Sequence, residues 1–192
     1  MNRGRPRSDE ARLAVLKAAL LLCQRDGYQQ LTIKGIADEA GVGRQTVYRW
    51  WPTKADVLVE ALRELAHIKA AKLDPDTGDA LDDVRTVLTT TFRMTTGFTG
   101  QALVGLMAEA QTDEALATRL QTTVIGPRRE ALKAVLQRGV DQGRLTPSVP
   151  LELVVDMIYG TMWYRLLHRH AAVDETLADD LVAAVTTLLK AD

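Results

Sequence analysis

The chain has 192 residues, 46% apolar content, a formal net charge of −1 and one cysteine, enough for one domain or two small ones around an ordinary buried core. A single cysteine excludes an intramolecular disulfide and fits a cytoplasmic setting. No signal-peptide pattern follows the N-terminal basic run, and LAVLKAALLLC is too short and interrupted to span a membrane. The near-neutral total conceals an asymmetry. Through Lys54 the balance is +5 and beyond it −6, so the field that would meet a polyanion belongs to the N-terminal part.

Helical patterns run nearly throughout, with no convincing strand, and predict an all-α fold of about nine helices. The opening RGRPR run carries Arg3, Arg5 and Arg7 beside Gly and Pro. Read as an extended arm, it suits an A·T-rich minor groove and is expected to be disordered without DNA. Ser8 or Asp9 is placed to cap a first helix to about Arg25, ended by Gly27. Its Cys23 sits among leucines and reads as a structural thiol.

Leu31 to Lys54, LTIKGIADEAGVGRQTVYRWWPTK, reads as two short helices joined by a glycine turn. Thr32 stands at the N-cap, and Ile33, Ile36, Ala37 and Ala40 share one face. Gly41 supplies the turn, where small Ala37 permits close approach. The next helix turns Val47 inward and leaves Arg44, Gln45, Thr46, Tyr48 and Arg49 to a partner, as a recognition helix does. Arg44 suits guanine, Gln45 adenine, and Thr46 a thymine methyl or phosphate; Tyr48 and Lys54 suit phosphate oxygens.

Thr53 is expected to cap a fourth helix through Val57, Leu58, Ala61, Leu62 and Leu65, which leaves the head. Asp74 to Gly78 is a breaker cluster. A fifth helix from about Asp79 to Phe98 and a sixth through Leu103, Leu106, Met107 and Ala110 follow. A pattern from Asp113 to Gln142 contains Gly126 and Pro127 and reads as one kinked helix, with two helices the alternative. Pro150 opens an eighth helix and Asp174 caps a ninth.

The last two helices are apolar on more than one face. That pattern predicts a two-fold dimer through a four-helix interface of Val155, Ile158, Met162, Leu181, Val185 and Leu188, with Gly160 allowing a close crossing. Phe92, Phe98, Met107, Gln111, Tyr159 and Trp163 are candidates to line a ligand pocket for an apolar or amphipathic molecule. The threonine-rich stretch from Thr86 to Thr99 reads either as polar lining or as a solvated face.

No nucleophile elbow, phosphate loop or metal-ligand spacing is evident, so neither enzyme activity nor a cofactor is expected. His67, His168 and His170 are the only histidines; the last two, placed on a helix, point apart. The acidic pairs Asp82-Asp83 and Asp179-Asp180 read as helix-start residues favoured by the dipole.

The segment LTIKGIADEAGVGRQTVYRWWPTKADVLVEAL, with its A-x-x-x-G-V turn, T-V-Y triplet and Lys opening helix four, resembles the DNA-binding domain of the TetR family of bacterial transcriptional regulators. GPRREALKAVLQRGVDQGRL and YGTMWYRLL resemble its ligand-binding domain more loosely. The resemblance implies a basic head over residues 1–52 and a helical ligand-binding and dimerisation domain over 53–192. It implies a homodimer on a palindromic double-stranded operator, released by a small-molecule effector, with no membrane role. Thr32, Lys34, Arg44, Gln45, Thr46, Tyr48, Trp50 and Lys54 fall at the family's DNA-contacting positions. Trp50 replaces the common histidine or phenylalanine, and packing is its other reading. The alternative for the whole chain is a dimeric helical small-molecule-binding protein without a DNA-reading role.

Overall fold

A computed structural model describes residues 5–189, with side chains from Asp9 onward. The described residues form eleven α-helical segments and no strand: α1 (Arg5–Asp26), α2 (Ile33–Ala40), α3 (Arg44–Trp50), α4 (Lys54–Ile68), α5 (Ala70–Leu73), α6 (Ala80–Thr96), α7 (Gly100–Ala110), α8 (Glu114–Leu120), α9 (Gly126–Asp141), α10 (Leu151–His168) and α11 (Glu175–Leu188). A π turn, Gln121–Ile125, links α8 to α9. The long pattern ending at Gln142 is therefore continuous helical backbone with a wide turn. Pro127, which lacks an N–H and crowds the preceding turn, falls in the first turn of α9.

Helix α1 begins at Arg5, ahead of the expected Ser8 or Asp9 cap. Pro6 falls in its first turn, where the missing N–H has no intrahelical partner to lose. The extra turn α5 escaped the sequence because four residues carry no periodicity.

Packing divides the chain into two compact units, and not at the expected 52/53 boundary. Unit 1 comprises residues up to Leu65 together with Phe98–Val124; unit 2 comprises Ala66–Gly97 and the chain from Ile125. Helices α7 and α8 thus belong with the head.

In unit 1, α2 packs on α1 and α3, and α7 packs on α1 and α8. Val15, Ala19, Cys23, Ile36, Val47, Leu58, Leu62 and Leu106 are buried there. The Tyr28 ring lies so close to Gly105 that a β-carbon at 105 would stand 2.1 Å from its Cγ. Its phenol donates to Glu109 Oε2 at 2.7 Å. Burial, then the Glu109 carboxylate, pushes the phenol far above its ordinary range, so it remains a donor. Lys54 Nζ donates to the Tyr28 carbonyl at 2.9 Å and stands 4.4 Å from the ring centroid. A second knot ties α1 and α4 to the end of α3. Glu60 accepts from Trp51 Nε1 at 2.6 Å and from Arg12, which also donates to Glu64 at 3.0 Å. Thr53 and Asp56 cap α4 reciprocally: Asp56 N–H donates to Thr53 Oγ1 at 3.1 Å and Thr53 N–H to Asp56 Oδ2 at 3.0 Å.

In unit 2, α6 packs on α9 and α11, and α10 packs on α9. Val84, Leu88, Phe92, Leu132, Val135, Val154, Val155, Ile158 and Leu177 build one core. Asp83 is more than a helix-start acid. Buried to 2% exposure, it accepts from Thr77 Oγ1 at 2.7 Å and so pins the breaker loop to α6.

Two outcomes follow from unit 1. Gly105→Ala drives a methyl into the Tyr28 ring and should lower the unfolding free energy by about 1–3 kcal/mol, read by denaturant titration under circular dichroism. Burial pushes the Cys23 thiol up to about 11, only partly offset by the nearby Lys54 charge. A thiol reagent at pH 8 should therefore leave Cys23 unmodified until denaturant is added.

Candidate nucleic-acid interface

The reading face rests on two local devices. Thr32 holds an extended backbone, and its Oγ1 accepts from Gly35 N–H at 3.0 Å, which starts α2. The hydroxyl proton remains to be donated outward. Gly41 then adopts the left-handed conformation at φ 66°, and Val42 N–H reaches back to the Ala37 carbonyl at 3.0 Å. A side chain at 41 would strain that turn.

On α3, Val47 is the one fully buried residue. Arg44, Gln45, Tyr48 and Arg49 are exposed, and Thr46 is half-buried. Lys34 on α2 is exposed too. The structure thus brings Lys34, Arg44, Gln45, Tyr48 and Arg49 together as outward side chains of one helix-turn-helix. Arg3 lies outside the described residues, as do the side chains of Arg5 and Arg7. Because α1 already includes Arg5 and Arg7, the arm is shorter than the sequence suggested.

Two expected contacts change character. Trp50 is half-buried, its ring edge-on to Trp51 at 5.4 Å, with the Arg49 guanidinium 5.7 Å from its centroid. The ring thus packs against both of its neighbours in the chain. Lys54, read from the sequence as a phosphate contact, also has one of its three donors committed to the Tyr28 carbonyl. No local pattern reveals this bond, because Tyr28 is twenty-six residues away.

The pocket candidates do not fall in one unit. Phe92, Tyr159 and Trp163 belong to unit 2, whereas Phe98, Met107 and Gln111 belong to unit 1. Gln111 is exposed and returns its amide to the Met107 carbonyl at 3.1 Å, at the end of α7. The threonine stretch is not a solvated face: Thr91 and Thr95 are buried, with Thr95 Oγ1 donating to the Thr91 carbonyl at 2.8 Å.

The dimer candidates need a larger correction. Val155, Ile158, Met162 and Val185 lie inside the unit 2 core, and Leu181 and Leu188 pack against it. The four buried side chains are committed to the protomer's own core, whereas Leu181 and Leu188 are only half-buried. Only Gly160 of that set is exposed. The opposite face of α10 carries Leu153 and Met157, each 46% exposed, Tyr164 at 58% and Leu167 at 54%. With Gly160 they step by four, three, four and three residues along one side of the helix. That spacing was present in the sequence but masked by the stronger core stripe beside it. Beyond it, α10 ends at His168 with Arg169 left-handed at φ 54°, so His168 and His170 both reach the Tyr164 ring, at 4.7 and 4.8 Å. The expected divergence assumed a helix that continues.

Among the described residues no group of three or more His, Cys, Asp or Glu is arranged to hold a metal, and no helix is long and apolar enough to cross a membrane.

Comparisons with known proteins agree with this geometry. Residues 15–61 match the bacterial regulatory proteins of the tetR family, and residues 74–185 match the tetracyclin repressor-like C-terminal domain. The uncharacterized HTH-type transcriptional regulator YdeS of Bacillus subtilis is 34% identical over 94% of this chain and 90% of its own length. The DNA-binding transcriptional repressor TetR of Mycobacteroides abscessus is 27% identical over 83% of this chain and 84% of its own. The crystal structure of the TetR family transcription regulator SCO0332 superposes with a TM-score of 0.70 at 33% identity, covering 93% of this chain and 97% of that one. With a helix-turn-helix exposing its polar side chains and both halves matched, the chain belongs to the TetR family of bacterial transcriptional regulators.

Proposed function

We propose that the protein is a repressor that binds a palindromic operator as a homodimer and leaves it when a small molecule occupies the C-terminal helices. The observation that carries this reading is α3. Its single buried side chain, Val47, anchors the helix while Arg44, Gln45, Tyr48 and Arg49 face outward. That is the division of labour a major-groove helix needs. Arg44 and Gln45 offer paired donors and acceptors to base edges; Lys34, Tyr48 and the Thr32 hydroxyl position the head on phosphates. The relative named a DNA-binding transcriptional repressor supports the sign of regulation.

For the second copy, the exposed α10 stripe of Leu153, Met157, Gly160, Tyr164 and Leu167 is the surface that fits, since a lone protomer gains nothing by exposing it. A two-fold pair then sets the two α3 helices roughly 34 to 36 Å apart, or a multiple of that, to meet successive major grooves. An effector displaces the protein from DNA only by binding better to a form with another spacing.

Selection of random duplex DNA by the full-length protein, followed by sequencing, tests the reading: a palindrome is expected, and no enrichment by a folded dimer would defeat it. On the recovered operator, Arg44→Ala should cost about 1–3 kcal/mol and relax one base position. Lys34→Ala should weaken all sequences alike and lower the salt slope by about one without changing the melting temperature. Lys54→Ala should lower both affinity and melting temperature, because its ammonium also holds Tyr28.

Met157→Glu is expected to give folded monomers in sedimentation and to lose the palindrome's advantage over a single half-site. Val155→Glu, which buries a charge in the protomer core, should unfold unit 2 instead.

A further inference from the structure

Arg128 stands on the apolar side of α9, one turn ahead of fully buried Leu132. The residue as a whole is half-buried, but its Nε and Nη2 are buried and have no hydrogen-bond partner among the described residues. Its neighbour Arg129 is served instead by Asp156 and Glu152 at the surface. From α10, buried Tyr159 donates its phenol to the Arg128 carbonyl at 3.2 Å. From α6, Thr91 lies beside that phenol with its own Oγ1 buried and without a partner of normal geometry. Three helices of unit 2 therefore bring a cation and two hydroxyls together within a core of Leu88, Phe92, Leu132 and Ile158.

Native proteins seldom bury a charge without a counter-charge, because desolvation is then uncompensated. Burial does push the Arg128 guanidinium below its ordinary value, yet an arginine stays charged at neutral pH. The unpartnered atoms are also the informative pair. Nε and Nη2 form the edge of the guanidinium that grips a carboxylate with two parallel bonds. Arg85 uses the same two atoms on Asp179, at 2.6 and 3.4 Å.

We propose that Arg128 is the anchor for the effector, and that the effector is an amphipathic monoanion whose carboxylate accepts from Nε and Nη2 while its apolar body lies along the unit 2 core. The inference rests on the reading of unit 2 as the effector side of the repressor. Tyr159 and Thr91 flank the anchor and supply hydroxyls for any lone pair left over. A free phosphate dianion fits less well, since one guanidinium leaves half its charge unpaired in an apolar setting.

The test titrates full-length protein calorimetrically with decanoate, with 1-decanol below its aggregation limit, and with inorganic phosphate, in the wild type and in Arg128→Met and Arg128→Lys. Wild type should bind decanoate about 10- to 100-fold more tightly than decanol, the worth of charge-assisted hydrogen bonds. Arg128→Met should lose that preference, keep decanol binding and melt higher without ligand, because an uncompensated charge has been removed. Arg128→Lys should keep part of the preference. Equal decanoate affinity in wild type and Arg128→Met, tighter binding of phosphate than of decanoate, no binding of decanoate to wild type, or a lower melting temperature for unliganded Arg128→Met would each overturn the proposal. Operator binding, measured alongside, separates the two readings: decanoate that binds through Arg128 yet leaves the protein on DNA upholds the anchor and removes effector-driven release.

Discussion

The Tyr28 ring pressed against Gly105 is the contact that makes unit 1 a single body. Through its ring, phenol and carbonyl, Tyr28 touches α7 at two points and holds the lysine that opens α4. No flexible side chain separates the ring from the α7 backbone, so the approach tolerates little adjustment. The reading helices α2 and α3 are packed to this frame through α1, and through the Glu60 knot that joins Arg12 and Trp51. A recognition helix of seven residues has almost no stability of its own. Its orientation is that of the frame, and exposed Arg44 and Gln45 are useful only because Val47 and Trp51 are fixed beneath them.

That frame changes how the regulator is divided. The chain passes between the two units at three places, after Leu65, after Gly97 and after Val124. The last falls within the π turn, where the helical ladder is widened ahead of Pro127. Because α7 and α8 pack with the head, a change in unit 2 has covalent routes into unit 1 other than α4. A two-state account of release therefore has to include the backbone at Gly97 and in the π turn as well as the linker helix.

Charged groups are mostly paired in both units, with buried exceptions in each. In unit 1 Arg12 pairs with Glu60 and Glu64, Lys54 donates to the Tyr28 carbonyl, and Arg119 Nη2 pairs with Asp56 at 3.1 Å, while Arg119 Nε is buried without a partner among the described residues. In unit 2 the surface charges pair in the same way, but Arg128, Thr89 and Thr91 keep buried polar atoms unpartnered among the described residues. A buried donor or acceptor of this kind costs free energy until something satisfies it.

The sequence alone was enough for whatever depends on local spacing. The cap at Thr32, the turn at Gly41, the inward Val47, the caps at Thr53 and Asp174 and the start of α10 after Pro150 all follow from neighbours within a turn or two, and the structure has them. The family and the helical class were legible for the same reason. What only the tertiary structure decided is which apolar face goes inside. Val155, Ile158 and Met162 and the Leu153, Met157, Tyr164 and Leu167 stripe lie on one helix with the same period, and only packing against α6, α9 and α11 selects the first set for the core. The same holds for Lys54, drawn toward a carbonyl twenty-six residues away, and for Arg128, whose buried and unpartnered Nε and Nη2 no sequence pattern singles out. Periodicity assigns residues to a face; only the assembled neighbours determine what that face meets.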